Sequence, residues 1–235
     1  MKTIIVTGSA GGIGKRVCHY FYQKGYNVIG VDIKQTYDPY ITFKADLTDP
    51  EITAATIKKH LDNLNILTVD ILVNNAAIQI KKDFLQVRSY DFRQSFDINV
   101  IAPAILIQEL HDYLIGGSVV NIGSIHAKQT KPKFSVYATT KGALKTLTHS
   151  LALELAPDIR VNGIEPAAID TPMLKSGLSK KELQILSSYH PMKTIGNSDH
   201  ISTTIEFLHN NGFITGTLIE IDGGISKLLN DPENK

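Results

Sequence analysis

The chain has a single cysteine, Cys18, in 235 residues. That excludes an intramolecular disulfide and matches the cysteine usage of a reducing compartment. It also lacks an excess of either charge. Lys and Arg number 24 against 23 Asp and Glu, a formal net charge of +1, which leaves no electrostatic footprint for nucleic acid. No apolar run approaches the length of a membrane span, and no histidine spacing suggests a metal site. Internal repeats, low-complexity stretches and linker-like segments are missing too. One domain is therefore expected over residues 1–229, with a polar tail at 230–235. The first residues lead straight into apolar sequence with no signal-peptide pattern, so the expected location is the cytoplasm. What remains is ordinary globular material, 43% hydrophobic and 20% charged, long enough for one substantial core.

The most telling stretch lies at the start. Ile4, Ile5 and Val6 read as a short strand buried on both faces. Gly8, Gly12 and Gly14 then punctuate a turn, and residues 13–24, beginning with Ile13, read as a helix. Such a turn lets backbone approach a ligand closely, and the helix start points N–H groups and its positive dipole end at a phosphate. A strand–glycine turn–helix order is the context a dinucleotide site requires. A second strand, residues 27–32, ends in Asp32, placed to accept a hydrogen bond from the adenosine ribose 2′-OH of NAD and to repel the 2′-phosphate of NADP. The expected cofactor is NAD, with NADP the less favoured alternative.

Strand and helix patterns alternate along the rest of the chain. Strands are expected at 41–45, 70–74, 118–122, 160–165 and 217–221, and helices at 50–61, 90–114, 136–156 and 199–209. An irregular segment follows 160–165. This is the pattern of an α/β fold, a single doubly wound Rossmann-type domain of about seven parallel strands with helices on both faces. Ligands in such folds bind beyond the carboxyl ends of the strands, and chemistry-bearing residues gather there. Ser124 follows one strand end. Tyr137 and Lys141 stand at i and i+4 on the next helix, so they share a face. A phenol of ordinary pKa about 10 is a poor acid or base at neutral pH, and a cation one turn away favours its ionised form. The Ser124 hydroxyl can hold the same reacting oxygen, and together these groups could move a hydroxyl proton while nicotinamide exchanges hydride.

On these residues the chain resembles the classical short-chain dehydrogenase/reductase family. Thr7-Gly8-x-x-x-Gly12-Ile13-Gly14 is similar to its cofactor motif, and Tyr137-x-x-x-Lys141 with Ser124 to its catalytic motif. The resemblance implies an oxidoreductase in which Tyr137 is the general acid/base. Lys141 lowers its pKa and binds the nicotinamide ribose, and Ser124 polarises the reacting oxygen. Asn99 completes the tetrad by positioning a water, although an asparagine in a helix can instead bond local backbone. Asp46 and Leu47 correspond to the pair flanking adenine, and Asn75 and Ala76 to part of an Asn-Asn-Ala-Gly motif. Ile169 and Thr171 match the contacts to the nicotinamide carboxamide. Arg160-Val-Asn162 and the segment 216–224 resemble the family's closing signatures. Two positions depart from the pattern, with Ala77 and Ala167 standing where the family has glycine.

The resemblance implies that substrate specificity lies in a lid over 171–197. Met173 there supplies apolar surface, while Gln79, His126 and His190 are candidate polar contacts. Each histidine could equally be a surface or internally satisfied group. Three rim loops carry ten basic residues (Lys81, Lys82, Arg88, Lys128, Lys131, Lys133, Lys175, Lys180, Lys181 and Lys193) against two acids, Asp83 and Glu182. That balance suits an anionic substrate, or else reflects solvated loop lysines. Residues 90–114 and 136–156 are apolar beyond one stripe, which calls for a second buried surface. The resemblance implies that these helices form subunit interfaces, so a homotetramer is expected, with a dimer as the second choice. The resulting reading is an NAD(H)-dependent enzyme interconverting a secondary alcohol and a ketone. The alternative is a catalytically silent dinucleotide-binding regulator of the same fold.

Overall fold

In the computed structural model, which describes residues 1–229, the apolar runs form seven parallel strands. These are β1 (Thr3–Thr7), β2 (Asn27–Asp32), β3 (Ile41–Lys44), β4 (Ile71–Asn74), β5 (Ser118–Ile122), β6 (Arg160–Pro166) and β7 (Leu218–Ile221). Their order across the sheet is β3-β2-β1-β4-β5-β6-β7. The winding reverses between β1 and β4, which opens a crevice at their carboxyl ends. The helices are α1 (Gly12–Gln23), α2 (Pro50–Asn63), α3 (Ser89–Phe96), α4 (Ala102–Glu109), α5 (His111–Leu114), α6 (Ser135–Glu154), α7 (Pro172–Ser176), α8 (Lys180–Tyr189) and α9 (Ser198–Asn210).

Successive strand residues point to opposite faces of the sheet, and each face has its own core. Ile5, Leu72 and Val119 pack with Ile57 of α2, Leu106 of α4 and Ala152 of α6. Ile4, Val6 and Ile164 pack with Val17 of α1 and Ile205 of α9. All five residues of β1 are buried, which accounts for its unbroken apolar run. At the opposite end of the sheet from the crevice, Arg160 closes the C-terminus of α9. Its guanidinium donates to the carbonyls of Leu208 (2.7 Å), His209 (2.7 Å), Asn211 (3.1 Å) and Ile214 (3.0 Å).

Two features differ from the sequence expectation. Residues 90–114 are not one helix, because the chain widens at Asp97–Ile101 between α3 and α4, where the Ala102 N–H reaches five residues back to Asp97. Pro103 has no N–H to bond the Asn99 carbonyl four residues earlier, so a regular ladder cannot run through this point. The connection from β2 to β3 holds no helix, in keeping with the sequence pattern. This short loop lies on α1 through a Lys15–Asp38 ion pair (3.5 Å) and Tyr22–Tyr40 ring contact (5.9 Å). Secondly, the segment after β6 is ordered as α7 and α8, the latter started by a reciprocal cap between Ser179 and Glu182. The expected tail at 230–235 lies outside the described residues.

Candidate active site

The glycine turn joins β1 to α1 with Gly8 at φ +68°. A Cβ on Gly14 would stand 2.1 Å from the Gly8 carbonyl oxygen, and one on Gly12 2.8 Å from Thr171. The first contact sets the tightness of the turn. The second brings the start of α7 down onto it. No side chain caps α1, and its first turn holds no acidic residue; the helix start is left to a ligand. Ile13, the next residue, is half-buried. A cavity of about 410 Å³ lies alongside, lined by Ala10, Gly11, Gly12 and Pro172 among others.

Asp32 ends β2 beside this turn. Its Oδ2 accepts from the Ala10 N–H and its Oδ1 from the Lys34 N–H, both at 2.9 Å, so the carboxylate is fixed in orientation. The Asn75 side chain is turned to a structural task. Its Nδ2 donates to the carbonyls of Thr7 (2.9 Å) and Gly8 (3.2 Å). Thr7 Oγ1 accepts from the N–H groups of both Asn75 (3.0 Å) and Ala76 (3.1 Å). Thr7 thus ties β4's exit to the turn. Asp46 Oδ1 accepts from the Thr48 N–H (2.9 Å), and Leu47 packs on the core face shared with α2. Ile169 is buried and pairs in parallel with Gly196, while Thr171 Oγ1 caps α7 (3.3 Å to the Leu174 N–H).

Ser124, Tyr137 and Lys141 come together where β5 ends and α6 begins. The Tyr137 phenol faces the Ser124 hydroxyl. Lys141 Nζ donates to the Ile122 carbonyl (2.7 Å) and lies 5.6 Å from the Tyr137 ring centre. The electrostatics differ from the expected simple lowering of the phenol. Burial pushes Tyr137 up to about 12, opposed by the Ser124 hydroxyl. Burial also pushes Lys141 down to about 8, because a low-dielectric site disfavours either charge. Asn99 is buried in the widened turn with its side chain committed. Oδ1 accepts from the Ile78 N–H (2.9 Å), and Nδ2 donates to the Ile78 carbonyl and Thr140 Oγ1 (both 3.0 Å). Its partners are distant in sequence rather than local, and the side chain fastens the loop after β4 to α6.

This pairing of a glycine turn with a Ser–Tyr–Lys group has counterparts among known proteins. A model of the short chain dehydrogenase family matches residues 2–182. The chain belongs to that family. The short-chain dehydrogenase is 31% identical to bovine L-xylulose reductase, over 95% of this chain and 96% of that protein. Its fold superposes on ligand-free aldohexose dehydrogenase of Thermoplasma acidophilum with a TM-score of 0.92, at 30% identity, covering 98% of this chain and 96% of that one. 4-Hydroxyisoleucine dehydrogenase complexed with NADH gives a TM-score of 0.88 at 32% identity, covering 97% and 100%. The protein is thus an oxidoreductase of a family that binds a nicotinamide dinucleotide.

The two family glycines that are missing here cause no backbone strain. Neither Ala77 nor Ala167 has a positive φ, and the Ala167 N–H bonds the Ile221 carbonyl (3.0 Å). Of the candidate substrate contacts, Gln79 is exposed and His126 is half-buried beside Tyr137. His190, a candidate polar contact, lies in the interior. It is 1% exposed, bonds the Leu186 carbonyl through Nδ1 (2.9 Å) and packs near Gly223, anchoring the end of α8. Met173 falls in α7, and its side chain lies outside the described residues.

Four of the ten basic residues on the rim of the short-chain dehydrogenase are paired with acids. Lys82 pairs with Asp91 (2.6 Å), Lys133 with Asp83 (3.2 Å), Lys175 with Asp170 (2.9 Å), and Lys128 with both Glu165 and Glu220. Most of these acids come from outside the rim loops, so counting charges within the loops overstated their field. Among the described residues no group of His, Cys, Asp or Glu is arranged to hold a metal, and no helix is long and apolar enough to cross a membrane. Phe134 carried no signal of its own in the sequence. Its ring stacks on His126 at 4.8 Å and carries Lys131 Nζ over its other side at 4.8 Å.

Proposed function

We propose that this short-chain dehydrogenase is an NAD(H)-dependent enzyme that interconverts a secondary alcohol and a ketone, with Tyr137 as general acid/base. The observation that carries this reading is the Ser124–Tyr137–Lys141 group, in which Ser124 and Lys141 are buried and Tyr137 partly so, together with the uncapped start of α1. The uncapped N–H groups of α1 and the oriented Asp32 carboxylate fit a dinucleotide's pyrophosphate and ribose. Gly8, Gly12, Ile13, Gly14, Asp46, Leu47, Asn75 and Ala76 would frame it, with Ile169 and Thr171 at the nicotinamide end. When bound, the dinucleotide supplies or accepts the hydride.

The chain's own residues handle the proton. Tyr137, held as a phenol by burial, donates its proton to a carbonyl oxygen undergoing reduction, and in the reverse direction receives one from the alcohol. Ser124 donates a hydrogen bond to the same oxygen, polarising it. Lys141 steadies the phenolate while Tyr137 is deprotonated. Asn99, with Thr140, keeps the loop after β4 at a fixed distance from α6. His126 has Nδ1 bonded to Thr130 Oγ1 (2.8 Å), which leaves Nε2 for a substrate polar group alongside Gln79. Burial and Lys131 hold its pKa below the ordinary histidine value, so it contacts substrate as a neutral imidazole.

The relatives named above act on sugars and on a hydroxylated amino acid, so those alcohols head the panel, followed by polyols, hydroxyacyl compounds and steroids. NADH formation is followed with Tyr137→Phe as the paired control. Turnover on one class, reduced about 10²–10⁴-fold by the substitution with NADH binding retained, is the expected result. Saturable NADH binding without turnover on any class would favour the silent regulator instead, and full activity in Tyr137→Phe would overturn the proposed role.

The same reading includes a homotetramer, with a dimer second. Leu153 of α6 is 82% exposed and Ile101, preceding α4, 44%, with Leu147 and Leu151 half-buried between turns of α6. Light scattering on the purified protein should give four subunits; a monomer at micromolar concentration would remove the need for a covered face.

A further inference from the structure

Behind the Ser124 loop lies a buried carboxylate that the reaction as described does not use. Glu165 is 0% exposed and sits on β6 one residue before Pro166, with Glu220 of β7 beside it in register. A Cβ on Gly123 would lie 3.4 Å from Glu165 Cγ, so the side chain runs directly under the residue preceding Ser124. Two lysines face its oxygens. Lys128 Nζ, from the loop that Ser124 opens, lies 3.2 Å from Oε2, and Lys145 Nζ, from α6, lies 4.0 Å from Oε1. Neither oxygen accepts a directed hydrogen bond from a described residue. The carboxylate is therefore held by charge. On its far side Glu220 takes Lys128 and Lys227 in close ion pairs.

The placement of Lys145 gives this cluster its meaning. Tyr137, Lys141 and Lys145 are spaced i, i+4, i+8 on α6 and lie along one side of the helix. Lys141 Nζ bonds a carbonyl and no carboxylate. Lys145 comes one turn later, about 12 Å along the axis from Tyr137. An uncompensated cation there would pull the phenol towards its ionised form through a low-dielectric interior.

We propose that Glu165 is a positioning residue that balances charge: it holds Lys145 and shares Lys128 with Glu220, so that Lys145 is not left as an uncompensated cation on the helix that carries Tyr137 and Lys141. The same contacts register three elements against one another, namely the Ser124 loop, α6 and the chain leading from Pro166 to Thr171. The inference rests on the reading of Tyr137 as general acid/base. The other groups facing Tyr137 are Ser124 and His126 on the loop, with Lys131 held over Phe134; none of them contacts Glu165. At an effective dielectric constant of about 20, one unit charge at about 12 Å moves a titration midpoint by roughly half to one pH unit.

The test uses Glu165→Gln, Lys145→Met and the double variant. Each is compared with the same protein carrying Tyr137→Phe. The readout is the midpoint of the pH profile of kcat below about pH 10, where lysines keep their charge, on an alcohol that the wild type oxidises. Removing the carboxylate should lower the midpoint by about half to one pH unit, and removing Lys145 should raise it by a similar amount. The double variant should return near the wild type. A purely structural role for Glu165 would lower thermal stability and rate without shifts of opposite sign. Coincident midpoints in the single variants and the wild type would overturn the proposal, and so would two shifts in the same direction. If Tyr137→Phe leaves turnover intact, the acid/base reading itself fails, an outcome told apart by that control.

Discussion

Replacing Gly14 by alanine puts a methyl carbon 2.1 Å from the Gly8 carbonyl oxygen, 2.8 Å from the Gly8 carbonyl carbon and 2.7 Å from Asn75 Nδ2. Two of those atoms are backbone, so the turn itself has to open. Opening it breaks the two hydrogen bonds from Asn75 Nδ2, at about 1 kcal/mol each, and overpacking strain adds about 1–3 kcal/mol. The better helix propensity of alanine offsets about 1 kcal/mol. The net loss is about 2–4 kcal/mol, which in a chain of this size lowers Tm by roughly 5–15 °C. Gly142 supplies the control. It lies in the interior of α6, and a Cβ there meets nothing within 4 Å, so Gly142→Ala should gain about 0.5–1 kcal/mol. Thermal and urea unfolding measure both variants, and NADH fluorescence titration should find binding to Gly14→Ala weakened at least about tenfold, the turn being the surface that meets the pyrophosphate. Equal stability and equal NADH affinity for Gly14→Ala and the wild type would refute this account of the turn.

The remaining predictions concern charge. Burial lowers Lys141 from 10.5 to about 8, so from about pH 8 to 10.5 the folded protein holds fewer protons than the unfolded chain and stability climbs with pH. Tyr137, raised from 10.0 to about 12, acts in the opposite sense above pH 10. At pH 7 the buried cation costs about 3 kcal/mol. Lys141→Met should therefore be more stable there by about 1–3 kcal/mol, after loss of the bond to the Ile122 carbonyl, and inactive. A wild type whose urea midpoint is flat between pH 8 and 10 would contradict the burial argument. Asp32→Asn keeps one acceptor oxygen and removes the charge, so NADH should bind a few-fold more weakly and NADPH about tenfold more tightly. An unchanged NADH-to-NADPH ratio in paired titrations would show that Asp32 does not discriminate the two.

Much of the fold was legible because its signals are local. Buried parallel strands appear as short apolar runs, the glycine turn sits between a strand and a helix, and Tyr137 and Lys141 meet because four residues make about one helical turn. The single long helix expected at 90–114 failed on a local clue that was present. Pro103 removes a bond to Asn99 and the chain widens there. Helix α8 likewise carried its signal in the reciprocal cap of Ser179 and Glu182, within a segment read as irregular. The loop after Asp32 offered no pattern at all, and its path is set by contacts with Lys15 and Tyr22.

What the sequence by itself determined is the alternation of strands and helices, the turn that suits a dinucleotide, and the reacting groups carried on neighbouring elements. These depend on residues a few positions apart. The tertiary structure decided which polar groups are still free to act. Asn75 and Asn99 have side chains committed to backbone partners, His190 is packed under the lid, and four of the rim lysines are paired. Lys128 meets Glu220 across 92 residues of chain. Charge compensation and burial are sums over everything within a few ångströms, whatever its distance along the chain, and only the folded packing states what those neighbours are.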